Sequence, residues 1–88
     1  MANTVQARKR ARQAEAHRHH NAALRSMLRT YIKKVLKAVA EKDHGTAQSA
    51  YKEAVSVIDR VKSKGVLHRN SAARYKSRLN ARVRSIAA

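Results

Sequence analysis

The sequence contains no cysteine, proline, tryptophan or phenylalanine, and only two glycines among its 88 residues. Without cysteine the chain has no disulfide, no thiolate metal site and no thiol nucleophile, and it suits a reducing compartment. The lack of proline and glycine removes most turn signals, while abundant alanine, arginine and lysine favour helices. A chain of this length forms one domain with a small core. The composition therefore predicts a small, single-domain, all-α protein.

Acidic residues are scarce as well. Five Asp and Glu stand against 21 Lys and Arg, which gives a net charge of +16 at pH 7. An excess of this size opposes compaction by self-repulsion and indicates a polyanionic partner. Four of the five acids lie between residues 41 and 59, whereas residues 1–40 hold ten basic residues and residues 60–88 hold nine. We therefore expect the two ends of the chain to face the polyanion and the middle to face away.

Long hydrophobic runs and catalytic motifs are also missing. The basic N-terminus has no apolar segment behind it, and its arginine-rich pattern continues into the predicted helices without the break expected of a cleaved transit peptide. The sequence offers no Ser/His/Asp set, no carboxylate pair in a plausible cleft and no glycine-rich phosphate loop. We expect a soluble, unexported protein without enzymatic activity, cofactor, small-molecule substrate or membrane partner.

Three stretches carry apolar residues at the three-and-four spacing of an amphipathic helix. The first stripe consists of Leu24, Met27, Leu28, Tyr31, Ile32, Val35, Leu36 and Val39. The second consists of Ala47, Ala50, Tyr51, Ala54, Val55, Ile58 and Val61. The third consists of Ala72, Tyr75, Leu79, Val83 and Ile86. This pattern predicts an antiparallel three-helix bundle.

The residues between the stripes supply helix ends. We expect Gly45 to end helix one, and Asp43 or Thr46 to begin helix two. Gly65 follows two lysines and is typical of a helix C-cap, here for helix two. Asn70 or Ser71 is then expected to cap helix three.

Helix one is predicted to extend well beyond the bundle. Helices two and three each span about 25 Å, a length that matches only the part of helix one from Leu24 onward. Residues 1–22 form a basic arm with only Val5 and scattered alanines to bury, so a helix there is marginal in isolation. We predict that this arm becomes ordered on its partner.

Basic residues form rows beside the apolar stripes. The row on helix one contains Arg18, Arg25, Arg29, Lys33 and Lys37, and the row on helix three contains Arg74, Arg78 and Arg82. Like charges four residues apart destabilise an isolated helix by roughly a few tenths of a kcal/mol per pair, so another molecule must supply the negative charge. Any one exposed lysine is as well explained by solubility, but two acid-free rows indicate contact.

The residue types point to phosphate. Arginine outnumbers lysine twelve to nine, and its guanidinium suits bidentate phosphate contact. Tyr31, Tyr51 and Tyr75 all fall in core register, which leaves no aromatic platform for stacked bases. The sequence thus predicts recognition of a folded or duplex nucleic acid through backbone and shape, aided by hydrogen-bonding side chains and the free N–H groups that begin helix three. These side chains are Asn21, Ser26, His68, Asn70, Ser77 and Asn80.

The segment HRHH places His17 and His20 one helical turn apart, as a metal site would require. Because cysteine is absent and Glu15 is the only acid nearby, we interpret these histidines as RNA contacts rather than metal ligands.

Three other classes of partner also fit the positive charge of the chain. A histone-like packaging protein would bind duplex DNA, and a basic amphipathic helix protein would bind an anionic lipid surface, although the absence of Trp and Phe argues against that surface. The third class is an acidic protein.

Two blocks of the sequence, ARKRARQAEAHRHHNAALRSMLRTYIKKV and KGVLHRNSAARYKSRLNARV, together cover over half of the chain. Both blocks resemble the bacterial and plastid small-subunit ribosomal protein S20 family. The resemblance implies a three-helix bundle with a long first helix that acts as a monomer in the small subunit. It also implies direct binding of small-subunit rRNA, at the 5′ domain and the lower end of the penultimate stem. The location implied is the ribosome of the bacterial cytoplasm, or of a plastid.

The matching motifs imply particular RNA contacts. The arm would contribute Arg8, Lys9, Arg10 and Arg12; helix one would contribute Arg25, Ser26, Arg29, Lys33 and Lys34; the third segment would contribute His68, Asn70, Arg74, Lys76, Ser77 and Arg78. To these the residue pattern itself adds Arg18, His20, Asn21, Lys37, Arg69 and Arg82. One local departure concerns the first turn, in which the glycine follows Asp43, whereas the family more usually has a glycine before the acid.

Overall fold

The computed structural model describes residues 4–87 of the chain and contains three α-helices and no strand in that range. Helix α1 spans Thr4–Ala40, α2 spans His44–Ser63 and α3 spans Arg69–Ser85. Short connections of three and five residues, 41–43 and 64–68, reverse the chain between them. The predicted three-helix, all-α architecture is confirmed; residues 1–3 of the predicted arm lie outside the described range.

The core is a thin apolar layer to which all three helices contribute. Val35 of α1 and Ile58 and Val61 of α2 are fully buried at its centre, and Leu79 and Val83 of α3 close it. Helix α1 packs chiefly on α2, and α1 and α3 meet least. The predicted stripes lie on this core with two exceptions: Val55, which is half-buried but outside the core cluster, and Tyr75, which is exposed. The core also includes residues outside the predicted stripes: Ala38, Val57, Val66 and Leu67.

Helix α1 projects far beyond the bundle, as the sequence predicts. Its 37 residues span about 56 Å, against about 30 Å for the 20 residues of α2. Every residue from 4 to 20 is exposed, and burial begins with half-buried Asn21 and buried Leu24. The molecule therefore measures 68 × 21 × 14 Å, with a radius of gyration of 17.8 Å. A compact domain of this length would have a radius of gyration of about 12 Å, so the protruding arm sets the shape.

The first turn differs from the prediction, because Gly45 does not end helix one. The residue in left-handed backbone conformation is Lys42, with φ of 56°. Its N–H donates to the Val39 carbonyl at 3.0 Å, and the Asp43 N–H donates to the Ala38 carbonyl at 3.1 Å, which is the Schellman arrangement. Gly45 instead lies inside α2, near its start.

Asp43 begins α2 as one of the two predicted caps. Its carboxylate accepts the Thr46 N–H at 3.2 Å and the Thr46 hydroxyl at 2.7 Å. These hydrogen bonds, that of the hydroxyl most of all, lower the pKa of the Asp43 carboxyl. The cap therefore stays ionised, and its negative charge lies at the positive end of the α2 dipole.

The second turn confirms the predicted glycine and corrects the predicted cap. Gly65 has φ of 76°, and the Val66 N–H donates to the Val61 carbonyl at 3.2 Å. Helix α3 begins earlier than Asn70 or Ser71 would allow, because His68 is its N-cap: Nδ1 of the imidazole accepts the Asn70 N–H at 3.0 Å. The helix therefore gains its cap from a residue type that cap preferences do not favour.

Candidate nucleic-acid interface

The basic residues predicted to contact RNA lie almost entirely on the surface. Within α1 and α3 their arginines are all exposed, as are Lys9, Lys33, Lys34 and Lys37. Asn21, Lys76 and Asn80 are the predicted contact residues that are half-buried. No helix has an acidic residue in its first turn, and α3 instead has Arg69 there. The positive charge of these helices is thus largely uncompensated within the described chain.

On one side of the bundle, basic residues of α1 lie beside an aromatic residue of α3. A cleft of about 240 Å³ lies between the two helices, with Arg25 and Arg29 of α1 on one wall and Tyr75 of α3 on the other. Its floor is apolar and consists of Leu28, Val61, Val66 and Leu67. The Val61–Val66 hydrogen bond that ends α2 therefore also shapes this floor. No acidic side chain lines the cleft.

Tyr75 is not a core residue, so the predicted core register is wrong at this position. Its exposed fraction is 39%. On its other side a second groove of about 140 Å³ is lined by Ser71, Arg74, Tyr75 and Arg78. Tyr75 thus lines two recesses that also contain arginines. Because its ring is partly exposed, the prediction that no aromatic side chain is available for stacking is also wrong. Tyr31 and Tyr51 are half-buried, as their register predicts.

The predicted row on helix one does not remain on one face. Each four-residue step turns the side chain about 40° further around the axis, so the row winds from the α3 side toward α2. Arg25 and Arg29 face the cleft beside α3, whereas Lys37, the last residue of the row, lines a groove with Glu41 and Glu53. Lys34, which is outside the row, lines the same groove. The Lys34 ammonium lies 4.6 Å from the centre of the Tyr31 ring. This second groove is mixed in charge and is less suited to a polyanion.

Lys76 takes part in the contact between α2 and α3. Its ammonium pairs with the Asp59 carboxylate of α2, and its backbone carbonyl accepts the Tyr51 hydroxyl at 3.3 Å. Two of its polar groups are therefore engaged within the fold. Among the predicted RNA contacts, Lys76 is the one for which the structure supplies an acidic partner.

The histidines of the arm lie on an exposed helix. His19 Nε2 is 3.7 Å from a Glu15 carboxylate oxygen, and both side chains are largely exposed, so the pair adds little stability. No group of three or more His, Cys, Asp or Glu side chains in the described range could hold a metal ion. His68 differs from these, because its Nδ1 caps α3 and Nε2 is the nitrogen available to a ligand.

None of the three helices described between residues 4 and 87 has both the length and the apolar character of a membrane span.

Comparison with known proteins identifies relatives over the whole chain. The family model described as Ribosomal protein S20 matches residues 2–84. The small ribosomal subunit protein bS20 of Alcanivorax borkumensis is 61% identical over 88 residues, which is 100% of both chains. The bS20 protein of Cellvibrio japonicus is 60% identical over the same span, and that of Acinetobacter baumannii is 60% identical over 87 residues, 99% of each chain.

Proposed function

The chain belongs to the ribosomal protein S20 family, and we propose from this premise that it is a structural constituent of the small ribosomal subunit that binds small-subunit rRNA directly. The observation that carries the proposal is the segregation of charge. Exposed arginines of α1 line the cleft and those of α3 line the groove that shares Tyr75 with it, neither recess has an acidic residue, and most of the acidic residues lie on α2 or in the turn before it. Such a surface suits phosphate, which supplies most of the affinity of nucleic-acid complexes.

The contacts divide into three groups. The first is the α1–α3 side of the bundle, where Arg25 and Arg29 line the cleft and Arg74 and Arg78 line the groove that shares Tyr75 with it. Their planar guanidinium groups each offer a fork of donors that fits two phosphate oxygens.

The second group is the arm. The exposed stretch from residue 4 to 20 carries Arg8, Lys9, Arg10, Arg12 and Arg18 and packs on no other helix, so it is free to lie along an RNA groove. Its basic residues lie all around the helix rather than on one face, which suits an element surrounded by RNA more than one resting on a flat surface.

The third group consists of polar residues near the start of α3. His68, Arg69 and Asn70 are exposed and lie in the turn and first residues of that helix. The unpaired N–H groups at the start of α3, together with the side chains of Arg69 and Asn70, form an anion-binding end of the bundle. We assign Lys76 and Asn21 supporting positions, since both are half-buried.

By the resemblance of its two sequence blocks, we infer that the protein acts as a monomer at the 5′ domain and the lower end of the penultimate stem. There it would link RNA segments by neutralising their facing backbones and so stabilise rRNA folding and subunit assembly. This function requires no catalytic group and no cofactor, and its location is the ribosome.

Footprinting on naked small-subunit rRNA, with duplex DNA of equal length as competitor, tests the proposal. We expect protection confined to the 5′ domain and the base of the penultimate stem, and we expect excess DNA not to remove it. Diffuse protection that DNA abolishes would contradict rRNA-specific binding and favour a general polyanion binder such as a DNA-packaging protein.

A further inference from the structure

The cleft between α1 and α3 has features that phosphate contact alone does not use. Phosphates require donors and positive charge, which the arginines supply, but the floor of the cleft is apolar and one wall is an aromatic side chain. A tyrosine in this position would ordinarily complete the core. Here 39% of Tyr75 is exposed, and its hydroxyl makes no hydrogen bond within residues 4–87.

The position of Tyr75 follows from how the helices pack. Ala72 and Leu79, three residues before and four after it, are buried against the bundle. Helix α1 contacts α3 least of the three pairs, and the α1 side chains that line the cleft with Tyr75 leave it partly exposed. The recess is held open by rigid parts of the fold, namely the buried Leu28 of α1 and the hydrogen-bonded end of α2 at Val61.

We propose that the cleft binds one unpaired, splayed-out nucleobase of the rRNA, stacked on Tyr75 and flanked by phosphates on Arg25, Arg29, Arg74 and Arg78. This inference rests on the proposed function and adds to it a site for a base. Three observations favour this occupant.

The first observation is the charge of the rim. The rim carries arginines and no acid, which is complementary to the phosphates on either side of a single nucleotide.

The second observation is the ring itself, since unpaired RNA bases are commonly bound by stacking on aromatic rings or on arginine planes, and both kinds of side chain line this cleft. The third is size. At about 240 Å³ the cleft is smaller than the roughly 300–1,000 Å³ of sites for drug-sized ligands, so it suits a single ring system better than a larger group.

Substitution of Tyr75 tests the proposal by separating stacking from charge. Tyr75→Phe keeps the ring, and Tyr75→Leu removes it without changing the net charge. Binding to naked small-subunit rRNA should be near the wild-type value for Tyr75→Phe and weaker by about 5- to 100-fold for Tyr75→Leu. Because no phosphate contact is lost, the slope of log K against log salt should be the same for all three proteins.

Tyr51→Leu is the matched control. Tyr51 is a half-buried tyrosine on α2 that lines neither recess, so its loss should lower stability without changing rRNA affinity beyond what the folded fraction explains. Ultraviolet cross-linking of the wild-type complex gives a second readout that needs no variant. We expect a nucleotide linked to the peptide that contains Tyr75, and one unpaired base protected on its Watson–Crick edge by wild type and Tyr75→Phe but not by Tyr75→Leu.

Equal affinity and equal base protection for folded Tyr75→Leu and wild type would overturn the base site while leaving rRNA binding intact. Failure of the wild-type protein to bind small-subunit rRNA would instead refute the proposed function. A fall in affinity accompanied by a shallower salt slope would also contradict stacking, because it would show that the substitution disturbs the arginines.

Discussion

At the scale of the residue, the two turns use the same backbone geometry with different residue types. Lys42 and Gly65 both have positive φ and both occupy the left-handed position of a Schellman motif. A side chain in this conformation costs roughly 1–2 kcal/mol, whereas glycine adopts it without a steric penalty. The first turn therefore contains local strain that the second avoids.

Substituting each glycine with alanine should show whether a stability loss comes from backbone strain at positive φ or from a steric clash of the added Cβ. Around Gly65 no heavy atom lies within 4 Å of an added Cβ, yet Gly65→Ala should lower the free energy of unfolding by about 1 kcal/mol because φ is positive. Gly45→Ala is the matched control: the nearest atom is Asp43 Oδ1 at 3.8 Å, and helix propensity should raise stability by up to about 1 kcal/mol. Urea unfolding with an unchanged m-value measures both.

Lys42→Gly is the converse of Gly65→Ala in the other turn. It should leave stability unchanged or raise it by up to about 1 kcal/mol, since it removes the left-handed penalty but loses a basic residue near a helix C-terminus. Destabilisation by Lys42→Gly comparable to that of Gly65→Ala would contradict the assignment of strain to residue 42.

Residue-scale prediction from sequence succeeds where the local pattern decides and fails where packing decides. Asp43 and Gly65 carry strong local signals, and both act as predicted. Tyr75 fits the apolar spacing of α3 as well as Ala72 or Leu79 does, but it stays partly exposed where α1 and α3 meet least, and spacing contains no information about a neighbouring helix. Likewise, the pairing of Lys76 with Asp59 joins residues 17 positions apart in the chain and depends on how α2 meets α3.

At the scale of the element, α1 combines two environments. Its C-terminal half lies in the bundle, while residues 4–20 are exposed and make no core contact. The exposed part has like charges at Arg8 and Arg12 and a weak His19–Glu15 pair as its only ion pair within the described range. A helix with this composition gains little from its own side chains.

Hydrogen exchange should reveal the difference between the two halves of α1. Without RNA, amides of residues 5–20 should exchange far faster than those near Val35, because opening the arm exposes no apolar surface. On small-subunit rRNA the arm amides should become protected. The core of α2 is the internal control, with slow exchange in both states; arm protection equal to that of α2 in the free protein would refute ordering on RNA.

The projection of the first helix beyond the bundle could be predicted from sequence, because the apolar stripe begins at Leu24 while helix-forming residues continue upstream. The winding of its basic row was not anticipated. Four-residue steps carry Lys37 to the groove that contains Glu41 and Glu53, so only part of the row shares a face with α3.

At the scale of the whole molecule, charge and shape support one account. The net charge of +16 is carried on a body 68 Å long and 14 Å thick, so the basic groups can engage a partner over a distance that a compact domain would not span. The acids are concentrated on and beside α2, and we therefore expect this helix to face away from the RNA. The all-α class followed from composition alone, while the location of the α1–α3 cleft required the packed structure.

The most direct test of this account is the salt dependence of binding to small-subunit rRNA for matched pairs of charge variants. Wild-type affinity should fall by about 10³- to 10⁵-fold between roughly 50 and 200 mM salt if about six to ten phosphates are contacted. The double variant Lys33→Gln/Arg78→Gln, on α1 and α3, should weaken binding and make the slope shallower by about 1.5–2. The control Lys52→Gln/Arg60→Gln removes the same residue types from exposed positions on α2 and should leave the slope unchanged. A flat salt response, or equal slope changes for the two double variants, would contradict the claim that α1 and α3 bind the RNA backbone while α2 faces away.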